Sequence, residues 1–160
     1  MHRGLEEYSR AMDFALDEDF KRHLQKWVAR VDRGVAYHAL ELPDGQVIPG
    51  FVQPDALRER LVNLGVPGDL TGKRVLDFGA ASGWNSFEME RRGAEVVAVD
   101  CVRFEELLVA KRAWGSRVDY RISDLEEVSP ESVGRFDISL FLGVLIICGI
   151  RCWGWSGFAR

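Results

Sequence analysis

The residues placed to do chemistry in this sequence are acids that follow short apolar runs, with glycines between them. Asp77 lies in Val75-Leu76-Asp77-Phe78 and is followed by Gly79-Ala80-Ala81-Ser82-Gly83. Gly79 and Gly83 let a backbone turn tightly and approach a ligand with no Cβ in the way. Asp100 ends the next apolar run, Glu95-Val96-Val97-Ala98-Val99, about twenty residues on, where a carboxylate accepts from both hydroxyls of a ribose. Asp124 follows a third run, Val118 to Ile122, within reach of a purine edge, and Leu125 offers its backbone amide beside it. Together these point to nucleoside recognition; a loop with two glycines, taken alone, is also ordinary turn chemistry.

The elements that must position these residues alternate. Arg74 to Phe78 reads as a strand, Trp84 to Arg92 as a helix, Glu95 to Asp100 as a second strand and Phe104 to Trp114 as a second helix. Val118 to Ile122 and Arg135 to Leu142 supply a third and a fourth strand. Such alternation predicts an α/β fold, a Rossmann-like doubly wound parallel sheet with helices on both faces. Ligands of such sheets bind at the carboxyl ends of the strands, which is where Asp77, Asp100 and Asp124 fall. Ahead of it, residues 1–69 form a lead-in. Apolar residues from Leu5 to Val31 recur at helical spacing, Tyr37 to Gly50 reads as a hairpin around Pro43-Asp44-Gly45, and a helix starts near Pro54 and carries Leu57, Leu61 and Leu64.

Two cofactor classes use such a crevice. A dinucleotide site wants Gly-x-Gly-x-x-Gly, so that a pyrophosphate can approach the helix amino end. Here Ala81 takes the middle glycine's place and Asp77 aims negative charge at the phosphates. S-adenosyl-L-methionine has no phosphate, and its ammonium and sulfonium are positive, so an acid at the start of the loop suits it better.

With those residues in view, a resemblance can be named. The stretch Val75 to Gly83, with Val99-Asp100, Ser123-Asp124 and Phe136 to Leu145, resembles motifs one to four of the class I S-adenosylmethionine-dependent methyltransferases. Tyr37-His38, Leu42-Pro43-Asp44-Gly45, Pro49-Gly50, Leu70 to Arg74 and Phe87 to Ala94 resemble, more narrowly, the tRNA wobble-uridine (methoxyuridine and carboxymethoxyuridine) methyltransferases. The resemblance implies that Asp77, Gly79 and Gly83 line the methionine end, with Ala81 departing from the commonest Gly-x-Gly-x-Gly form. It further implies Asp100 at the ribose, Asp124 and Leu125 at the adenine, and Leu142 beneath the methyl group. The methyl acceptor, tRNA or a small molecule, stays open, and no catalytic residue is implied.

Other residues have plainer readings. Asp137 reads as the start of a strand, facing solvent or a neighbouring loop. His38 reads as a hydrogen-bonded lead-in histidine or a substrate contact, and Trp84 as core or as a cover over the cofactor. Lys111, Arg112, Arg117 and Arg121 form either a solvated face or a basic edge for RNA. Cys148 and Cys152 have no further Cys or His nearby to complete a metal site, so no metal is expected.

After Leu145 the periodicity stops and Trp, Cys and Gly dominate. Relatives in the resembled family continue there with Tyr-His-Leu-Arg-His-Pro, which a one-base shift of a plausible coding sequence reproduces. The expected layout is a lead-in over 1–69, a partial methyltransferase core over 70–145 and an aberrant, frameshifted tail over 146–160. A sheet that stops at its fourth strand would expose an edge open to self-association. The competing functions are an inactive cofactor-binding remnant and a nicotinamide-dependent oxidoreductase. A net charge of -4, from 25 acids against 21 bases, argues against holding nucleic acid by bulk charge. Three cysteines without a disulfide pattern point to a cytoplasmic protein, and the apolar run from Ile138 to Ile150 is too short to span a membrane.

Overall fold

The computed structural model describes residues 36–124 and 127–142. The helices expected before residue 32, Leu125, the stretch from Gly143 to Leu145, Cys148, Cys152 and the whole tail lie outside the described residues. The lead-in holds β1 (Ala36–His38), β2 (Leu40–Glu41), β3 (Val47–Ile48), β4 (Gly50–Val52) and α1 (Pro54–Asn63). The turn at Pro43-Asp44-Gly45 forms: Asp44 Oδ1 accepts the Gln46 N–H at 3.0 Å, and Leu40 pairs with Ile48 and Glu41 with Val47 in antiparallel register.

The expected single hairpin from Tyr37 to Gly50 is broken in its middle. β1 pairs with β4 in parallel, Ala36 opposite Gly50 and His38 opposite Val52. Pro49, with no N–H to donate, interrupts the antiparallel ladder, and its carbonyl accepts from Ala36 at 3.1 Å instead. The two segments then cross at Gly50, where an added Cβ would stand 2.0 Å from the Ala39 nitrogen and 2.2 Å from the His38 carbonyl carbon. Only glycine fits that crossing. α1 follows with Pro54 in its first turn and buries Leu57 and Leu61. Leu64, expected on the same face, lies past the helix end and is 56% exposed.

The sheet is built from β5 (Arg74–Phe78), β6 (Glu95–Asp100), β7 (Asp119–Ile122) and β8 (Ile138–Leu140), linked by α2 (Trp84–Arg91), α3 (Glu105–Ala113) and α4 (Pro130–Val133). All pairings are parallel, in the order β7-β6-β5-β8. Right-handed crossovers explain the layering: the two steps from β5 to β6 to β7 run one way and the return to β8 runs the other. Val75, Val96 and Ala98 accordingly pack with Met89 of α2 and with Leu107 and Ala110 of α3. Leu76, Val97 and Val99 pack with Val133 of α4. The reversal of strand order falls between β5 and β8, so the crevice at the carboxyl end of β5 is a topological switch point.

Two features depart from the sequence reading. α4 is an unanticipated single turn, specified by Pro130 at its start and by Ser129, whose side chain accepts from the Ser132 N–H in a capping box. The fourth strand is shorter than Arg135 to Leu142, because the Arg135 carbonyl instead accepts from the Arg74 guanidinium at 2.7 Å. Asp137 receives the Arg74 N–H at 2.9 Å and Lys73 Nζ at 3.1 Å, which ties the start of β8 to the start of β5.

The lead-in and the sheet share one apolar cluster, in which Leu40, Ile48, Leu57 and Leu61 meet Val75, Met89 and Leu107. Polar contacts fasten the same interface: Trp114 Nε1 donates to the Glu41 carbonyl at 2.9 Å, and the Arg58 guanidinium, paired with Glu41, stands 5.8 Å from the Trp84 ring centroid. Gly50→Ala should therefore destabilise the whole domain, by about 3 kcal/mol or more, since backbone must move to admit the methyl group. Gly68→Ala, where an added Cβ meets nothing within 4 Å, should stay within about 0.5 kcal/mol of the parent in the same urea titration.

Candidate active site

The loop after β5 is fixed by backbone bonds before any ligand is considered. The Gly79 and Ala80 N–H groups both donate to the Val99 carbonyl, at 2.8 and 3.3 Å, which laces the loop to the end of β6. Ala81 adopts a left-handed φ of 48°, a conformation that costs a non-glycine residue of order 1–2 kcal/mol. Its N–H donates to Asp100 Oδ2 at 2.9 Å, while Asp100 Oδ1 accepts the Val102 N–H at 3.1 Å. One carboxylate thus holds both the β5 loop and the chain that leaves β6. An ionised carboxylate has about four acceptor sites, so each oxygen retains capacity for a ligand hydroxyl. Gly83, at φ 85°, precedes the first turn of α2, and a Cβ there would meet Leu107 at 2.8 Å and Phe87 at 2.9 Å.

Beneath this loop lies a buried polar layer. Asp77 is 1% exposed and accepts from Ser86 Oγ at 2.6 Å through Oδ2 alone; Oδ1 has no partner. Burial raises the Asp77 carboxyl to about 7, opposed by the Ser86 hydrogen bond, reinforced by the Asp100 charge and opposed again by Arg60. The acid expected to face a ligand as a standing charge is instead a buried group poised between its two protonation states. Ser82 Oγ accepts the His38 N–H at 2.9 Å and donates to the His38 carbonyl at 3.3 Å, joining the loop to β1. The His38 ring is buried with neither nitrogen hydrogen-bonded, and burial followed by the Arg60 charge lowers it to about 4, so it is neutral at pH 7. Asn85 Oδ1 and Arg60 Nε and Nη2 are likewise buried without partners. Each such atom costs on the order of 1–3 kcal/mol unless something polar reaches it.

The structure brings together Asp77, Gly79, Ala81, Gly83 and Asp100. Asp124 lies two residues past β7 on the same sheet edge and is exposed, its carbonyl accepting the Glu127 N–H at 3.0 Å. Leu142 follows β8 on that edge and packs, half-buried, against the main core. Trp84 is 5% exposed within that core, which favours its packing role. Lys111 and Arg121, read as possible RNA contacts, are engaged locally with the Val118 carbonyl, Asp119 and the Ser132 carbonyl. The sequence reading overlooked Arg60, Ser82, Asn85 and Ser86. The available signal was polar Asn85 and Ser86 near Trp84 and Met89 in the first half of α2, where an all-apolar inner face would be the default.

An open pocket at the opposite edge of the sheet, lined by Lys73, Arg74, Glu90, Glu95 and Arg117, is away from this layer. Its charges are largely matched, Arg74 pairing with Glu95 and Glu90 accepting the Arg117 N–H. Among the described residues no group of three or more His, Cys, Asp or Glu is placed to hold a metal ion, and no helix is long and apolar enough to cross a membrane.

Known proteins are similar to parts of this chain in sequence or in fold. No family model matches the chain. Over 73 residues it is 41% identical to the ubiquinone biosynthesis O-methyltransferase of Xanthomonas oryzae pv. oryzae (strain PXO99A), a match covering 43% of this chain and 30% of the relative. Over 74 residues it is 38% identical to the protein of the same name from Bordetella pertussis (strain Tohama I), covering 44% of the chain and 30% of the relative. The matched segment thus spans about a third of the length of these curated relatives. The crystal structure of the N-terminal domain of EvdMO1 in the presence of S-adenosylhomocysteine (SAH) and D-fucose superposes with a TM-score of 0.58 at 25% identity, covering 78% of this chain and 54% of that one. The same domain with SAH bound gives a TM-score of 0.60 at 23% identity, covering 78% and 55%.

The chain has the class I methyltransferase fold. Within that fold the carboxyl ends of β5 and β6 carry Asp77, the glycine loop and Asp100, the residues built above from local bonds alone.

The protonation of Asp77 has a definite consequence for stability. Its folded value near 7 lies above the ordinary 3.8, so the folded chain keeps a proton that the unfolded chain releases between those values. The contribution of Asp77 therefore becomes less favourable as pH rises from about 4 to about 7 and is constant above. Asp77→Asn should gain on the parent across that window, by roughly 2–4 kcal/mol in full, read as the difference between paired urea titrations at pH 4, 5.5 and 8. A difference independent of pH would show that Asp77 titrates normally.

Proposed function

We propose that this chain carries the cofactor-binding part of an S-adenosylmethionine-dependent methyltransferase whose acceptor is a hydroxyl oxygen. The observation that carries the reading is the pair of acids at adjacent strand ends, Asp100 bonded to the Ala81 amide and Asp77 buried beneath the same loop with one oxygen free. That arrangement suits a ligand with a ribose and a cationic end and opposes a pyrophosphate, so a nicotinamide dinucleotide is disfavoured. Acceptor oxygen is supported by the O-methyltransferase names of the relatives. The finer assignment to tRNA wobble uridine rests on the Tyr37-His38, Leu42 to Gly45 and Phe87 to Ala94 motifs. A small-molecule acceptor is the second reading, favoured by the net charge and by the local engagement of Lys111 and Arg121.

In this reading Asp100 receives the ribose hydroxyls, Gly79, Ala81 and Gly83 let the loop backbone lie close to the ligand, and Asp77 faces the ammonium of the methionine end. Asp124 and Leu125 bracket the adenine, and Leu142 lies on the side of the transferred methyl. The cofactor, when bound, supplies an electrophilic methyl on a sulfonium. The protein's part is alignment: the loop is fixed by the Val99 and Asp100 bonds, so little reorganisation is needed when a ligand arrives. Transfer in line from sulfur to oxygen depends chiefly on that alignment, which is why no side chain is assigned a catalytic role here.

Calorimetry tests the reading. SAH should bind and NAD should not, and Asp100→Ala should lower SAH affinity roughly ten- to a hundredfold through lost hydrogen bonds to a charged acceptor. Tighter binding of NAD than of SAH would contradict it. In filter binding at physiological salt, tRNA should not be retained by this chain, whose basic edge is thin. Micromolar retention with a steep salt slope would favour the tRNA acceptor.

A further inference from the structure

Five of the seven large apolar side chains that are exposed among the described residues belong to the lead-in: Tyr37, Val47, Phe51, Val62 and Leu64. Two of them share one face. In the parallel pairing of β1 with β4, Ala36 stands opposite Gly50 and His38 opposite Val52, so Tyr37 and Phe51 fall side by side between those partners and point the other way. The inward face is filled, with Ala36, His38 and Gly50 buried and Val52 packed on the core, whereas Tyr37 is 41% and Phe51 74% exposed. A two-stranded ribbon of three-residue strands is marginal in water with one aromatic face bare. Charge marks the same region. From β1 to the end of α1 the exposed charged residues are Glu41, Asp44, Asp55 and Glu59, all acids, while the two arginines there, Arg58 and Arg60, are partly buried.

We propose that residues 20–31 of this chain, which lie outside the described residues, occupy this outward face, laying Phe20, Leu24, Trp27, Val28 and Val31 on Tyr37 and Phe51. The spacing of those five residues, in steps of four, three, one and three, suits one side of a helix. Connectivity limits where that side can go: Ala36 is five residues beyond Val31, and an extended chain spans at most about 3.6 Å per residue, so Val31 lies within about 18 Å of the start of β1. Within that reach the inward face of the ribbon is taken, and Tyr37, one residue past Ala36, opens the uncovered one. Charge favours the same seating. Between Phe20 and Arg33 the chain has five bases, Lys21, Arg22, Lys26, Arg30 and Arg33, against the single acid Asp32, and it would meet a surface whose exposed charges are all acids. Two lead-ins packed face to face would instead set acids against acids, which like-charge repulsion opposes. The segment serves as an internal clamp, covering the ribbon whose other face is bonded through the His38 backbone to Ser82 of the loop.

Photocrosslinking on the full chain tests this. With Phe51 replaced by p-benzoylphenylalanine, irradiation should join that position to a peptide from residues 20–33 of the same chain, and Leu24→Asp combined with Val28→Asp should abolish the product. Attachment elsewhere, or a yield unchanged by the double substitution, would overturn the proposal. Should the altered chains fail to fold, the unaltered chain still decides. A zero-length carbodiimide, which joins an amine to a carboxylate in contact with it, should couple Lys21 or Lys26 to Glu41, Asp55 or Glu59. Mixing isotope-labelled with unlabelled chain separates the two sources of the segment. Coupling within one chain is the expected result; mixed-label products would assign the face to a second copy's segment and overturn the proposal, as would the absence of any coupling between residues 20–33 and 36–63.

Discussion

A carboxyl group buried under a tight loop and satisfied on one oxygen is the constraint around which this structure is organised. Asp77 sits in the middle of the sheet, where β6 and β8 flank β5, and no water-filled surface relieves its charge. Its single partner, Ser86, comes from the first half of α2, so that helix must begin immediately after the loop. A start at that point requires Gly83 to take a left-handed turn against Leu107 and Phe87, and it leaves Ala81 in a strained conformation anchored by Asp100. The loop, the helix start and the acid on the neighbouring strand are therefore consequences of one another. Change in any of them is transmitted to the other two.

The sheet order explains why a ligand site forms at this place. With crossovers running both ways from β5, α2 and α3 leave toward one face and α4 returns on the other, and the strand ends between them are left uncovered. The lead-in partly closes that opening. Its short strands contribute little as a sheet, but Leu40, Ile48, Leu57 and Leu61 anchor it to the same core as β5 and α3, and Ser82 ties β1 to the loop. Small elements placed by apolar anchors in this way can deliver polar groups such as His38 and Arg60 to an interior that already holds Asp77 from β5 and Asn85 and Ser86 from α2.

The extent to which this was legible in the sequence follows from the range of each interaction. β5 and β6 were readable to the residue, since continuous apolar runs, one closed by the Gly79 to Gly83 turn and the other opened by Gly93-Ala94, leave few alternatives for a buried parallel strand. The pairing of Asp100 with the Ala81 amide was not, although both were named, because it depends on the register between β5 and β6. The crossing of β1 over β4 was hidden for a related reason: local turn chemistry at Pro43-Asp44-Gly45 specifies the inner hairpin but is silent on where the outer residues go. Arg60 carries no such signal, being one of several charged residues along α1. Its buried nitrogens depend on how α1 docks, which no periodicity encodes. Asp77 illustrates the limit most clearly, since its position was evident and its protonation was not: desolvation is a property of the assembled interior.

The central claim is that Asp77 is the counter-charge for a cationic ligand end. It is tested most directly by counting protons when SAH binds, using calorimetry at pH 7 in buffers of different ionisation enthalpy. An ammonium arriving beside a carboxyl poised near 7 lowers its affinity for protons, so the account predicts net proton release on binding, absent in Asp77→Asn. Binding with no proton exchange, or with the same release in the variant, would contradict it.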